Sequence, residues 1–213
     1  MRKSGFTLVE LIIVIGITTL LGVILTNTLT QALRGQAKVK IINQVKENGQ
    51  VVLEQLSNEI KQAEKVICVG RKDGSTQDDT IVTFKAGIYS RFRLSPPTGS
   101  ANGYFERNNF TGDNIPDGST MPDLCSAATT FGTSAYSITD SDSVNGVSIR
   151  FDLDNVGAQK PVFTRSSQSG YNDTITIRFR AFQAIKVGQT YETAVGADGV
   201  LITTTVQVRG AKQ

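Results

Sequence analysis

Apolar residues are concentrated in one continuous run near the start of the chain. Fourteen of the twenty residues from Phe6 to Leu25 are large and apolar, and Glu10 is the only charged residue among them. Twenty helical residues span about 30 Å, which is the thickness of the hydrocarbon core of a bilayer. Arg2 and Lys3 precede the run. The positive-inside rule therefore predicts a cytoplasmic N-terminus and export of the rest of the chain.

A cleaved secretory signal and a plain single-pass anchor are the alternative interpretations of this run. A secretory signal has an apolar region of about 7–15 residues followed by a small-x-small cleavage site. Here the run is longer and ends in Leu25-Thr26-Asn27-Thr28. A carboxylate inside a membrane helix costs roughly 3 kcal/mol, and such groups are functional candidates by default. Glu10 therefore argues for a role beyond export or anchoring.

A second helical pattern follows the apolar run. From Ile42 to Ile67, apolar residues recur at the i, i+3, i+4, i+7 spacing, with charged residues on the other faces. This helical spacing of apolar residues is less regular between Thr26 and Lys40. No proline occurs from residue 26 to residue 95, however, so nothing forces the helix to end there. The pattern predicts one long helix, continuous or kinked, over residues 6–67. Its first part (6–25) crosses the membrane and its second part packs on another element.

From Cys68 onward the pattern is that of β-strands. Alternation leaves one apolar and one polar face, which suits an antiparallel sheet that covers a helix on one side and faces water on the other. The first two runs are expected to pair as a hairpin around Ala86-Gly87. The predicted fold class is therefore α+β, a long N-terminal helix packed on an antiparallel sheet. The runs are Ile81–Phe84, Ile88–Leu94, Val147–Leu153, Thr174–Arg180 and Ile202–Val208.

The segment from about residue 95 to residue 145 shows little periodicity. It is rich in Gly, Ser, Thr, Asn, Asp and Pro. A loop of this length is unusual in a compact domain. We expect a long loop that either contains short strands or forms a surface excursion carrying specificity.

The composition of the 213 residues excludes several classes of enzyme. The chain has no histidine and two cysteines. This excludes Ser-His-Asp hydrolysis, metal sites with histidine ligands, and four-thiolate zinc or iron–sulfur sites. No nucleophile–base pair is evident, so we expect neither an enzyme nor a cofactor. The net charge of +3 is too small to imply a nucleic-acid partner.

Cys68 and Cys125 are candidates for a disulfide. The exported side of a bacterial membrane is often oxidising, which favours the bond, and two free buried thiols are the alternative. In the chain-entropy model the bond would stabilise the fold by about 4 kcal/mol.

An acidic turn precedes one of the predicted strands. Asp140, Asp142 and Asn145 supply oxygen ligands at a spacing similar to that of calcium loops. The glycine comes one position too late, however, and Phe151 occupies the place of the bidentate glutamate. We therefore expect a polar turn and no metal site.

Four arginines fall on the predicted polar faces of strands. They are either a basic patch for DNA or an acidic neighbour, or ordinary solvated residues of an exposed sheet face. These residues are Arg91, Arg93, Arg178 and Arg180.

The residues around Glu10 resemble a known processing signal. Lys3-Ser4-Gly5-Phe6-Thr7-Leu8-Val9-Glu10 is similar to the class III signal of type IV pilins and type II secretion pseudopilins. The resemblance implies that a prepilin peptidase cuts between Gly5 and Phe6, that Phe6 is N-methylated and that Glu10 acts in assembly. It also implies a leader (1–5), a long helix (6–67) and an exported domain (68–213).

The same resemblance implies partners and a location. The partners are other pilin or pseudopilin subunits, reached through the N-terminal helix, and the inner-membrane assembly platform. The chain would first cross the inner membrane once and then enter a pilus or pseudopilus. Gln50–Ala63 also resembles J-class pseudopilins and W-type minor pilins. We therefore expect a minor, priming or tip-proximal structural subunit, and a tip module for adhesion or DNA uptake is the alternative.

Overall fold

The described part of the protein combines one long α-helix with two antiparallel β-sheets. The computed structural model describes residues 7–70, 79–98, 101–112, 124–125, 135–139, 147–168, 171–184 and 199–210. These contain the helix α1 (Leu8–Gln62) and the strands β1 (Lys65–Gly70), β2 (Thr80–Lys85), β3 (Ile88–Ser95), β4 (Tyr104–Thr111), β5 (Tyr136–Ser137), β6 (Val147–Arg150), β7 (Phe163–Ser166), β8 (Thr174–Gln183) and β9 (Val200–Gln207). The predicted α+β class is confirmed. The chain divides into two compact units, Met1–Lys40 and Ile41–Gln213.

The helix α1 ends earlier than the sequence pattern predicts. The helix continues through Asn27, just after the apolar run. It ends at Gln62, five residues before the predicted end at residue 67. Val66 and Ile67 belong instead to β1. Both are β-branched and suit a pleated strand, and the Glu64 amide already donates to the Phe84 carbonyl at 2.8 Å. Pairing with β2 therefore overrides the helical spacing at this boundary.

The first sheet contains β1 to β5 in sequence order. Each strand pairs with the next in antiparallel register. The β2–β3 connection consists of Ala86 and Gly87, with φ angles of 49° and 84°. Two consecutive positive φ angles identify a type I′ turn, whose twist matches that of the flanking strands. The hairpin predicted at this position is confirmed.

The second sheet is built around β8. The N-terminal half of β8 pairs with β7, and the C-terminal half of β8 pairs with β6. Both neighbours lie along the same edge of β8. The other edge pairs with β9 over eight residues. All of these pairings are antiparallel, so the sheet has one long central strand that holds three shorter neighbours.

The predicted loop over residues 95–145 contains a central strand. β4 pairs with β3 over all eight residues from Tyr104 to Thr111. Its sequence hides the strand because Asn108 and Asn109 have low β-propensity and its aromatic residues do not alternate. Phe105 and Phe110 are both buried but belong to different apolar clusters. Among the described residues of this segment, β5 adds a second, two-residue strand.

The main core lies between the second part of α1 and both sheets. Gly49 lets the helix approach β9 closely, because a Cβ atom there would lie 2.0 Å from Cδ1 of Ile202. The buried helix residues are therefore in direct contact with strand residues of either sheet. The helix contributes Val45, Val52, Leu56 and Ile60, the first sheet Ile81, Phe92, Leu94 and Phe105, and the second sheet Ile175, Ile177, Phe179 and Ile202.

Candidate functional site

The N-terminus of α1 places Glu10 in the first helical turn. Thr7 precedes the helix, and its Oγ1 accepts the backbone N–H of Glu10 at 3.3 Å. The Thr7 carbonyl accepts the N–H of Leu11 at 3.2 Å. Thr7 is thus the N-cap and Glu10 the third helical residue, which is the spacing of a capping box. Sequence reasoning had not identified Thr7, although the Thr-x-x-Glu spacing before an apolar run is its signal.

Glu10 has a favourable position with respect to the helix dipole. The first turn of a helix carries a partial positive charge, and acidic side chains there are stabilised by about 0.3–1 kcal/mol at exposed sites. The side chain of Glu10 is exposed in the single chain. A carboxylate at this position is therefore available to a cation outside the helix.

Gly5 and Phe6 lie outside the described residues. The described chain begins at Thr7, which is the second residue after the predicted junction. The cleavage site and the methylated residue are therefore assigned from the sequence signal alone. The cap that Thr7 provides would remain in the mature chain.

The first part of α1 exposes an unusually large apolar surface. Within the described residues one helix, α1, is long and apolar enough to cross a membrane, and none of its most apolar 18-residue window is buried. Large side chains from Leu8 to Leu33 are each at least half exposed. Contiguous apolar surface of this extent indicates contact with lipid or with other helices.

Hydroxyl groups within the apolar run are satisfied inside the helix. Thr18, Thr19 and Thr26 each donate to the carbonyl four residues earlier, at 2.9, 2.6 and 2.8 Å. In lipid no water is present to accept these hydrogen bonds, so local bonding to the backbone lowers the cost of insertion. The threonines are therefore compatible with a membrane helix.

The comparison with known families decides what this N-terminal segment is. The family model described as the prokaryotic N-terminal methylation motif matches residues 1–26. The chain carries the class III signal of type IV pilins and pseudopilins. The match covers the predicted leader, the predicted junction and the apolar run. No curated protein and no solved structure matches the chain.

The pilin-type signal supports a coarse assignment of function. It supports a type IV pilin-like or pseudopilin class, and a structural subunit more than an enzyme. It implies processing by a prepilin peptidase and assembly with other pilin subunits. Together with the exposed apolar helix it is consistent with membrane anchoring and a filament.

A disulfide joins β1 to a buried residue of the 95–145 segment. Cys68 in β1 is bonded to Cys125, with 6.0 Å between their Cα atoms. Cys125 and Leu124 are buried in a second apolar cluster with Val82 and Phe110. Gly70 allows this approach, because a Cβ atom there would lie 2.3 Å from the Cys125 carbonyl oxygen. The bond thus attaches part of the 95–145 segment to the first sheet.

The structure does not bring the four predicted arginines into one basic patch. Arg91 and Arg93 are only 1% and 6% exposed. Arg91 lies opposite Val82 in the first sheet, on the face that Leu124 and Cys125 cover. Arg93 donates to Glu106 at 2.7 Å. The prediction of a solvated or ligand-binding face was wrong for these two because both side chains are buried, with Leu124 and Cys125 packed on the face that carries Arg91.

Arg178 and Arg180 lie in the second sheet, around one buried carboxylate. The side chain of Asp152 is 2% exposed and accepts from Nε of Arg180 at 2.5 Å. Lys160 and Arg178 approach the same carboxylate at 3.4 and 3.7 Å. Burial alone raises the pKa of Asp152, but the hydrogen bonds and charges of Arg180 and Lys160 outweigh burial, so its pKa lies below the ordinary value. Asp152 therefore remains ionised in the folded chain at neutral pH.

Replacing Asp152 with asparagine is expected to lower the free energy of unfolding by about 2 kcal/mol at pH 7, because hydrogen bonds to charged groups contribute about 1.5–3 kcal/mol. Because the pKa of Asp152 is lower in the folded chain than in the unfolded chain, its ionised form stabilises the fold. This stabilisation is fully present above the unfolded pKa of about 3.9 and is lost as the pH falls through the lower folded pKa. Denaturant unfolding of the full chain in detergent at pH 7 and pH 3 measures the difference, which should shrink at pH 3.

Asp173→Asn is the matched control. Asp173 pairs with Arg165 at 2.7 Å, but both side chains are more exposed than Asp152. We expect a loss of about 0.5 kcal/mol, which is typical of exposed ion pairs. Equal losses in the two variants, or a loss for Asp152→Asn that is the same at both pH values, would contradict the interpretation.

The acidic turn at Asp140, Asp142 and Asn145 lies outside the described residues. In the parts of the chain that the structure describes, no three Asp, Glu, Cys or His residues gather as a metal site would require. The expected polar turn stays a prediction.

Proposed function

We propose that this protein is a minor pilin or pseudopilin, a structural subunit with a priming or tip-proximal position in a type IV pilus or type II secretion-like filament. The N-terminal methylation motif over residues 1–26 is the observation that carries this proposal. The exposed apolar helix supports it, because such a surface suits a bundle of helices first in lipid and then in a filament. The β-rich part would be displayed outside the membrane.

The processing step leaves the membrane helix attached to the protein. A prepilin peptidase would cut between Gly5 and Phe6 on the cytoplasmic side, and Phe6 would be N-methylated. Glycine before the scissile bond has no side chain to obstruct the enzyme. The cut creates a cationic amine at Phe6, close to the positive end of the helix dipole, where a cation is disfavoured.

Glu10 would then act as the partner of that amine. It lies in the first helical turn, next to the Thr7 cap. In lipid an unpaired charge is expensive, so the carboxylate would pair with its own amine or with the amine of a staggered neighbour. Pairing with a neighbour would draw each new subunit into register. The inner-membrane assembly platform would supply the force that extracts it.

The minor or priming position is supported by Gln50–Ala63. This segment resembles J-class pseudopilins and W-type minor pilins, and it lies in the part of α1 that packs on the sheets. The length of 213 residues also favours this class, since major pilins tend to be shorter.

The intact mass of the native protein tests the proposal. The protein is recovered separately from membranes and from sheared surface filaments. We expect loss of residues 1–5 and one added methyl group on Phe6. Recovery from the sheared fraction would favour a pilus over a short pseudopilus. A retained leader, or a cut beyond Leu25, would contradict the proposal.

Replacing Glu10 with alanine is expected to leave cleavage unchanged and to lower incorporation into filaments by at least about tenfold, because an unpaired charge in lipid costs roughly 3 kcal/mol. Immunoblots of the membrane and filament fractions measure both quantities. Glu47→Ala is the control, since Glu47 is an exposed carboxylate on the same helix outside the apolar run. Normal incorporation of Glu10→Ala would refute the pairing mechanism.

A further inference from the structure

A cleft of about 730 Å³ lies beside the second sheet, on the face opposite the core. Its volume is in the range of pockets that hold small ligands or short peptide segments, about 300–1,000 Å³. One part of its wall is apolar and another carries guanidinium groups. The residues that matter for its chemistry are Pro96, Pro97, Leu153, Arg150, Arg180 and Phe182.

Arg150 is the unusual residue of this cleft. Its guanidinium lies over the ring of Phe182, with its central carbon 4.5 Å from the ring centroid. Its Nε is buried and makes no hydrogen bond. No carboxylate among the described residues forms an ion pair with it. A stacked guanidinium of this kind is held in place and presents its remaining donors in the planar fork that matches a carboxylate.

The surroundings of Arg150 make the cleft electropositive. Arg180 lies directly opposite Arg150 in the β6–β8 register. Like charges at such positions destabilise a sheet. Asp152 forms an ion pair with Arg180 at 2.5 Å, and the same carboxylate also pairs with Lys160 and Arg178. Among the described residues around the cleft, four cationic side chains outnumber the two carboxylates, Asp152 and Asp154, so the described part of this wall carries net positive charge.

Among the described residues of the cleft wall, Asp154 is the carboxylate, and its hydrogen bonds lie within its own loop. Oδ1 of Asp154 accepts the backbone N–H groups of Val156 and Ala158 at 2.9 and 2.8 Å. These bonds form the tight loop that ends at the Leu153–Gln159 bridge. The loop therefore shapes one side of the cleft. Asp154 keeps its negative charge, but the described wall stays positive on balance because its cationic side chains are more numerous.

We propose that this cleft binds an acidic peptide segment, with a glutamate or aspartate side chain on Arg150 and a neighbouring apolar side chain against Pro96, Pro97 and Leu153. A free inorganic anion would form an ion pair with the Arg150 guanidinium but would leave the apolar wall of the cleft exposed to water. Nucleic acid is disfavoured because single strands bind by stacking bases on free aromatic rings. The Phe182 ring already carries Arg150, and a Cβ on Gly199 would lie 2.6 Å from its Cζ.

This inference goes beyond the proposed function and does not depend on processing or assembly. The test therefore uses the unassembled full chain in detergent micelles. The probe is the peptide acetyl-Phe-Glu-Leu-amide, titrated by calorimetry and by amide chemical shifts. The comparison probes are acetyl-Phe-Gln-Leu-amide, inorganic phosphate and glucuronate. We expect the Glu peptide to bind at least about tenfold more tightly than the Gln peptide, as a bidentate charge-assisted pair requires.

Variants connect the binding to Arg150. Arg150→Gln should weaken the Glu peptide by about tenfold or more, and Arg150→Lys by a smaller factor, because lysine keeps the charge but not the planar fork. Arg209→Gln is the matched control, since Arg209 is exposed, lies outside the cleft and carries the same charge. It should bind like the unmodified chain. Unchanged melting temperatures establish that the variants are folded.

Each other outcome would overturn the proposal. Equal affinity for the Glu and Gln peptides would show that the cleft does not recognise the carboxylate. Phosphate that competes as well as the Glu peptide would indicate a general anion site, and tighter binding of glucuronate would indicate an acidic glycan. Binding that Arg150→Gln leaves unchanged, or chemical-shift changes confined to residues outside 95–98, 150–159 and 180–182, would place the ligand elsewhere.

Discussion

Replacing Gly5 with valine is expected to leave the leader of residues 1–5 attached to the protein. The peptidase must bring its catalytic groups to the peptide bond after Gly5, and a branched side chain at that position obstructs the approach. Small steric changes in a closely fitted enzyme site alter kcat/KM by about 10–200-fold, so we expect cleavage to fall by roughly 100-fold. The precursor should accumulate in the membrane, and its intact mass measures the fraction that is uncut.

Gly16→Val is the matched control for that experiment. It introduces the same side chain into the membrane helix, at a position where a Cβ atom meets no other atom within 4 Å. Cleavage of this variant should be normal. Efficient cleavage of Gly5→Val would show that the junction lies elsewhere, whereas poor cleavage of both variants would point to a general effect of valine on insertion.

Removing the Cys68–Cys125 disulfide is expected to lower the free energy of unfolding of the β-rich part by about 4 kcal/mol. The bond joins residues 57 positions apart, and the chain-entropy model assigns about 4 kcal/mol to a loop of this size. The native contacts around it are also tight, since Cys125 and Leu124 pack against Val82. Without the bond, Leu124 and Cys125 keep only their packing in this small cluster among the contacts that the structure describes for them.

Two forms of the protein separate the covalent link from packing. The double variant Cys68→Ala, Cys125→Ala loses the bond and the sulfur atoms, whereas the reduced unmodified chain loses the bond alone. Denaturant unfolding of both should give similar large losses, and a reductant should have no effect on the double variant. A loss below about 1 kcal/mol in the reduced chain would contradict a stabilising role for the bond, given the usual range of 2–5 kcal/mol.

The elements that the sequence predicts well are those with a local cause. The membrane run follows from apolar composition over about twenty residues, and the β2–β3 hairpin follows from the alternating runs around Ala86-Gly87. The processing signal is likewise a contiguous string of residues. Each of these depends on neighbours in the chain, so periodicity and spacing are sufficient.

The elements that it misses depend on distant partners. β4 forms because β3 offers eight residues of antiparallel register, although its own asparagines disfavour a strand. The helix end at Gln62 is earlier than predicted because residues 65–70 pair with β2. Thr7 is the exception, since its capping spacing was readable in the sequence.

Charged residues show the same division. In the sequence, Arg91 and Arg180 both lie at polar positions of alternating strands. In the structure, Arg91 is buried on the face that Leu124 and Cys125 cover, whereas Arg180 contacts the buried Asp152. By itself the sequence determined the membrane helix, the pilin-type signal with Glu10 in its first turn, and the α+β class, because each is encoded by adjacent residues. Only the tertiary structure decided which arginines are buried and that Arg150 lies in a cleft where no described carboxylate pairs with it. Burial and ion pairing depend on which segments meet in space, and local periodicity does not specify that.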